Sequence, residues 1–331
     1  MRLLVRCCAA ALFVSAAFAA DYHLLKKIPI GGEGWWDYLN ADSANRRLYV
    51  SHGGEVDVID LDSGAVVGKI PAQGVHGIAV ADDLNRGFIS NGQSNSVTIF
   101  DLKTREVEGT VKTGTNPDAI IYDPSQHRVY AFNGRSGNAT VIDGSNGNVV
   151  ATLDLGGKPE FGAADGKGNV YVNIEDKSEL VHIDSAKPAV VQHWPLAPCE
   201  EPSAMAMDTA NNRLFIGCHN KMMAIVDPSA GKVVATVPIG EGVDAAGFDP
   251  GARLAFASCG DGTLTVAHED SPDKYSVAQT VQTQRGARTM ALDTKTHDVY
   301  LSDAEFEPRA PGATGRPKAV AGSFAVLVFG Q

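Results

Sequence analysis

Residues 116–157 read NPDAIIYDPSQHRVYAFNGRSGNATVIDGSNGNVVATLDLGG. Four short runs of apolar and β-branched residues are separated by Asp-Pro, Asn-Gly and Ser-Asn-Gly turn signals, the pattern of a four-stranded antiparallel unit. The same order recurs along the chain. Its second-strand motif appears as RLYVS (47–51), RGFIS (86–90), RVYAF (128–132), NVYVN (169–173), RLFIG (213–217), LAFAS (254–258) and DVYLS (298–302). Its third-strand motif appears as VDVID (56–60), VTIFD (97–101), ATVID (139–143), LVHID (180–184), MAIVD (223–227), LTVAH (264–268) and FAVLV (324–328). Measured between Leu48, Gly87, Val129, Val170, Leu214, Leu254 and Val299, the spacing runs from 39 to 45 residues. A four-stranded unit at that period is the mark of a propeller blade, so the sequence predicts an all-β, seven-bladed β-propeller.

The seventh unit stops one strand short. Leu25–Gly31 (LKKIPIG) reads like the fourth strand of the fifth unit, Thr236–Gly240 (TVPIG), and is expected to complete the last blade and close the ring. Closure pairs an edge that would otherwise lie open. Ahead of it, Arg2 and Arg6 lead into the apolar run Cys7–Phe18, and Ala17-Phe18-Ala19 fits a small-x-small cleavage site. The run is shorter than the roughly 20 apolar residues that span a bilayer. Residues 1–19 are therefore read as a signal peptide and 20–331 as one propeller domain, exported to the periplasm or the medium, with no membrane span and a monomeric state.

The composition excludes several classes. Lys and Arg number 28 against 39 Asp and Glu, a net charge of −11, and loss of Arg2 and Arg6 makes it −13. Nucleic acid is not expected as a partner, because the chain lacks the broad positive field that contact needs. Cleavage of the leader leaves Cys199, Cys218 and Cys259, which allow one disulfide at most; Cys199–Cys218 and three buried thiols both fit. No CxxC pair, Gly-rich phosphate loop, G-x-S-x-G or H-E-x-x-H occurs.

The third unit resembles the YncE-like, or YVTN-repeat, β-propeller family through P-D-A-I-I, R-V-Y-A-F-N, N-A-T-V-I-D and G-N-V-V-A-T-L. The resemblance covers the chain after residue 19, weakening at His268-Glu269-Asp270 in blade six and at the insertion in blade seven. It implies an exported propeller of the kind described as binding or surface proteins, and it brings no reaction with it.

In a propeller the innermost strand of each blade begins at one face, and the turn after the second strand lies on that face. Aligning the repeats puts Asp37, His76, Asp118, Glu160, Ser203, Asp244 and Arg288 at the first position. The second position holds His52, Asn91, Asn133, Ile174, Cys218, Cys259 and Asp303, followed by His219 and Glu305. Four carboxylates around one channel repel, so a cation or raised pKa values must relieve them. Oxygen ligands suit calcium or magnesium, whereas His52, His76 and His219 with Cys218 suit zinc or copper; the candidate metal ligands are His52, His76, Asp118, Glu160 and His219. The alternative is a ring that only solvates channel water. Trp35 and Trp36 follow a glycine-rich stretch and read as inter-blade packing or as the wall of a ligand site, with Trp36 beside Asp37. The insertion 304–322, with three Pro and three Gly, is read as an irregular loop over the mouth.

The expectation is a binding protein or scaffold whose mouth, lined by Trp36, Asp37, His76, Asp118, Glu160, Asp244 and Arg288, receives a small molecule or an exported protein. The alternative is a metal-dependent hydrolase of the lactonase type, in which a cation polarises a carbonyl and a carboxylate or His76 moves the proton.

Overall fold

The computed structural model describes residues 20–32, 34–308 and 317–331. The expected leader, residues 1–19, lies outside the described residues. The chain is a propeller ring of seven four-stranded antiparallel sheets. Blade one is built from Trp36–Asp42, Arg47–His52, Glu55–Asp60 and Val66–Pro71, and the next five follow the same order. The seventh sheet pairs Met290–Asp293, Asp298–Asp303, Ala325–Gly330 and, outermost, His23–Pro29. The closing strand thus starts two residues before the expected Leu25 and ends at Pro29. Beyond it Ile30 and Gly31 both donate to the Phe324 carbonyl, at 3.0 and 2.9 Å, which turns the chain off the ladder. No helix among the described residues is long and apolar enough to cross a membrane.

Position in the blade explains composition. Second and third strands are covered on both faces by neighbouring blades, so Arg128–Asn133 and Asn138–Asp143 are buried almost throughout and read as continuous apolar runs. Outermost strands such as Val149–Asp154 meet solvent and are largely exposed. The core is a ring of inter-blade seams. Tyr49 meets Phe100 at 5.8 Å between blades one and two, and Phe215 stacks on Phe248 at 4.8 Å between blades five and six. The last seam is filled from the N-terminus: Ala20 and Tyr22 join residues of blades six and seven in one apolar cluster.

At His268-Glu269-Asp270, where the resemblance weakens, the outer hairpin of blade six is extended, with Thr263–Ser271 and Lys274–Gln282 nine residues each. One local expectation needs correction. The insertion in blade seven has a regular stem, because Glu307 N donates to Lys318 O at 2.8 Å and Val320 N to Glu305 O at 2.7 Å around a Phe306–Ala319 bridge. Backbone groups near the packed mouth pair with each other instead of remaining open. Residues 309–316 lie outside the described residues.

Cys199 and Cys218 form a disulfide with Cα atoms 5.4 Å apart, and Cys259 is a buried free thiol. Of the two readings of the thiols, the paired one is the structure.

Candidate functional site

The mouth residues owe their aim to a repeated irregularity in the ladder. In blade one Trp36 pairs with His52 but Leu39 with Val50, so the innermost strand carries one extra residue at Asp37 and Tyr38. The same slip occurs at His76, Asp118, Glu160, Ser203 and Asp244 in blades two to six. A bulge bends the strand and re-aims its side chains, which accounts for polar residues pointing inward where strand alternation alone would not put them. Serines of the second strands satisfy the bulges. Ser51 Oγ accepts from Asp37 N and Ser90 Oγ from Gly77 N, each at 2.8 Å. Neighbouring blades are tied at the same level, where Ser90 donates to Asp118 O, Ser203 to Val243 O and Ser258 to Arg288 O. Blade seven differs: its innermost strand begins at Met290, so Arg288 lies in the preceding turn.

Around the channel the polar groups fall into three sets. In the first, His76 Nδ1 lies 2.7 Å from Asp37 Oδ2 and 3.5 Å from Asp118 Oδ1. One ligand atom from each of the three residues lies within 4.8 Å of the others, and all three side chains are half-buried. Burial and then the Asp37 charge push the Asp118 carboxyl up to about 6, against the pull of His76 and Lys158. In the second, Lys158 Nζ reaches Glu160 Oε1 at 2.6 Å and also pairs with Glu175. Burial pushes Glu160 up to about 8 despite its bond to Lys158. In the third, Arg288 Nε lies 3.0 Å from Asp244 Oδ2, and burial carries Asp244 up to about 7 against the attraction of Arg288.

Between them stands Tyr38. Burial raises its phenol well above the usual range, and the charges of Asp118, Asp37, Glu160 and Asp244 add to the rise. Its ring meets Phe161 at 4.9 Å. Four carboxylates that all act on one hydroxyl surround it.

The sequence alignment therefore finds the ring, but the structure divides its members. His76 and Asp118 come together with Asp37, whereas Glu160 is taken by Lys158. His219 is exposed and pairs with Glu201 at 3.2 Å. His52 is buried against Phe324, with ring centroids 4.3 Å apart, and its Nδ1 lies 3.1 Å from Asp57 Oδ2. His52, Asp57 and Glu55 make a second group of potential ligand atoms, but the Lys69 ammonium already sits 2.5 Å from Glu55 and 3.3 Å from Asp57. Asn91 and Asn133 spend their amides on Thr98 and Thr140, at 2.9 and 3.0 Å. Glu305 pairs with Lys27 at 3.5 Å. Ile174, Cys259 and Asp303 are buried, and burial pushes the Cys259 thiol up to about 12 and the Asp303 carboxyl up to about 7.

Lys158, Tyr38 and Phe161 are site residues that the alignment missed. Lys158 stands two positions before Glu160, a signal open to anyone asking what neutralises that carboxylate. Tyr38 and Phe161 each follow an aligned carboxylate, the second residue of each bulge.

The tryptophans pack between blades and also border open space. Trp36 stacks on Phe324 at 5.0 Å and leans on Phe306 at 6.0 Å, while Trp35 stacks on Trp36 at 5.9 Å. Their outer faces line two adjoining cavities. One, of about 660 Å³, is bounded by Trp35, Trp36, Phe306, Arg285, Gly286 and Arg288. The other, of about 560 Å³, shares Trp35, Trp36 and Arg288 and reaches Asp37 and His76.

No protein-family model matches the chain. Among curated proteins it is 28% identical over 149 residues to "Uncharacterized protein YncE" of Salmonella typhi, a match covering 42% of this chain and 42% of that protein. It is 25% identical over 243 residues to the Escherichia coli O157:H7 protein of the same description, covering 69% and 68%. It is 23% identical over 232 residues to "Antigen Lp49" of Leptospira interrogans, covering 62% of this chain and 48% of that protein. The match spans less than half the length of the Salmonella typhi and Leptospira proteins. Among solved structures, a chain of Kuenenia stuttgartiensis hydrazine synthase is similar with a TM-score of 0.70 at 15% identity, covering 88% of this chain and 96% of that one. At that identity the likeness is one of fold.

Proposed function

We propose that this chain, a YncE-like seven-bladed β-propeller, is an exported binding protein whose mouth receives a small ligand beside a divalent cation. The observation that carries the reading is the convergence of Asp37, His76 and Asp118, from three successive blades, with ligand atoms within 4.8 Å of one another. One imidazole and two carboxylates with open positions suit zinc, and the oxygens with added water suit calcium or magnesium. A cation there would offset the burial and the Asp37 repulsion that hold the Asp118 carboxyl above its ordinary range. The ring offers rigid support, since the bulges are bonded within and between blades.

The test is thermal and calorimetric titration with Ca²⁺, Mg²⁺ and Zn²⁺. A binding ion at a hundredfold excess over its dissociation constant raises stability by about 2.7 kcal/mol. The double substitution Asp37→Asn with Asp118→Asn is expected to abolish the response and keep the fold. No response to any of the three ions in the parent protein would remove the cation from the mouth.

The lactonase-type hydrolase is a second reading of the same residues. It is favoured by the carboxyls of Glu160 and Asp244, pushed up to about 8 and about 7, where general acid–base exchange is efficient. Turnover of simple γ- and δ-lactones by metal-loaded protein, lost in the Asp37/Asp118 double variant, would decide for it.

A further inference from the structure

The larger of the two mouth cavities has a chemistry distinct from the acidic ring. Its volume of about 660 Å³ falls in the range of small-molecule sites. Trp35, Trp36 and Phe306 supply flat apolar walls. The orientation of Trp36 is fixed by stacking on Phe324, so that wall is preorganised. The conformation of Gly286 belongs to the same construction. Its φ is +104°, and a Cβ there would stand 2.9 Å from the Phe306 ring and 3.0 Å from Asp303, so only glycine lets Phe306 seat against the turn.

Charge defines the other half. Arg288 spends its Nε on Asp244 at 3.0 Å, and its side chain is 55% exposed. Arg285 is exposed and has no ion-pair partner among the described residues. In a chain of net charge −11, two guanidinium groups line one aromatic cavity, and only that of Arg288 is paired with a carboxylate, Asp244, among the described ion pairs. Glu307 also lines the cavity, but Lys318 holds it at 2.6 Å. The excess is about one positive charge, and guanidinium forks match carboxylates in geometry. A phosphate dianion would carry a second charge toward Asp244 and Asp37, with no cation left to meet it.

We propose that this cavity binds a small monocarboxylate with a flat aromatic body, its carboxylate on Arg285 and Arg288 and its ring against Trp35, Trp36 and Phe306. The inference deepens the binding-protein reading by naming the ligand class, and it needs no cation at Asp37, His76 and Asp118.

The probe is 2-naphthoate, followed by quenching of tryptophan fluorescence and by calorimetry, with 2-naphthamide and 2-naphthyl phosphate as comparisons. The carboxylate is expected to bind at least tenfold more tightly than either. Arg285→Gln and Arg288→Gln are each expected to weaken it at least tenfold while leaving 2-naphthamide unchanged. Saturating EDTA is expected to have no effect. Arg285 is exposed, so its single substitution keeps the test valid if the Arg288 variant misfolds. Absence of 2-naphthoate binding up to millimolar concentration, equal affinity for the amide, or indifference to Arg285→Gln would each overturn the proposal. Tighter binding of the phosphate would overturn the ligand class. A cation response with no naphthoate binding would leave the cation reading intact, and naphthoate binding with no cation response would do the reverse.

Discussion

Tyr22 is the residue on which ring closure can be measured. It lies just before the closing strand and is 1% exposed. Its ring meets Phe256 of blade six edge-on at 5.2 Å, and its hydroxyl donates to His297 O, ahead of the second strand of blade seven, at 2.9 Å. The side chain of Gln279, also in blade six, bonds both its backbone N and its backbone O at 2.9 Å. One side chain therefore bolts the last seam to the preceding blade. Tyr22→Ala removes a fully buried ring, which costs about 3–5 kcal/mol. Tyr22→Phe removes the hydroxyl alone and strands the His297 carbonyl, at about 1 kcal/mol. The difference between the two variants isolates the packing. Urea unfolding followed by circular dichroism gives both values from the midpoints, provided the slopes match the parent. A Tyr22→Ala protein within 1 kcal/mol of the parent would refute the view that the N-terminus closes the ring. Deleting residues 20–30 also strips six paired positions from Ala325–Gly330 and the buried Ile28. It is expected to aggregate through the exposed edge, which light scattering would register.

Cys199→Ser with Cys218→Ser opens a loop of sequence separation 19 and is expected to cost about 3 kcal/mol, read as a lower urea midpoint that reductant no longer changes. Stability is also expected to fall as pH rises. The folded Asp303 carboxyl sits at about 7, above its unfolded value, so its contribution is complete below about 4 and is lost as pH passes 7. The shift corresponds to at most about 4 kcal/mol, and Asp303→Asn should flatten the pH profile of the urea midpoint by part of that amount. An unchanged slope would show that Asp303 does not hold its proton in the folded chain. The Asp37→Asn, Asp118→Asn protein without metal is expected to be at least as stable as the metal-free parent at pH 8, because the substitution removes repulsion around Tyr38; a melting curve lower by several degrees would contradict this.

Much of the molecule was legible in the chain because a blade is a local object. Its strands are successive, its turns short and its ladder closed within about 40 residues, so the repeat at 116–157 carries its own fold and the spacing carries the count. The closing strand was legible too, since LKKIPIG repeats a pattern found elsewhere. Even the mouth positions could be aligned, because the bulge recurs at the same place in six blades. What each mouth residue does depends on contacts between blades. Whether Glu160 faces Asp118 or Lys158 is settled by side-chain direction at a bulge, and the alignment carries no record of that direction. His52 looked like a mouth ligand until packing against Phe324, 272 positions away, buried it beside Asp57. The aromatic cavity joins Trp36 to Phe306 and Arg285 across the seam where the chain's two ends meet. The sequence by itself determined the blades, their number and the face on which the polar residues gather. Only the tertiary structure decided which charges on that face are paired with which, because pairing is fixed by ångström distances between blades far apart in sequence.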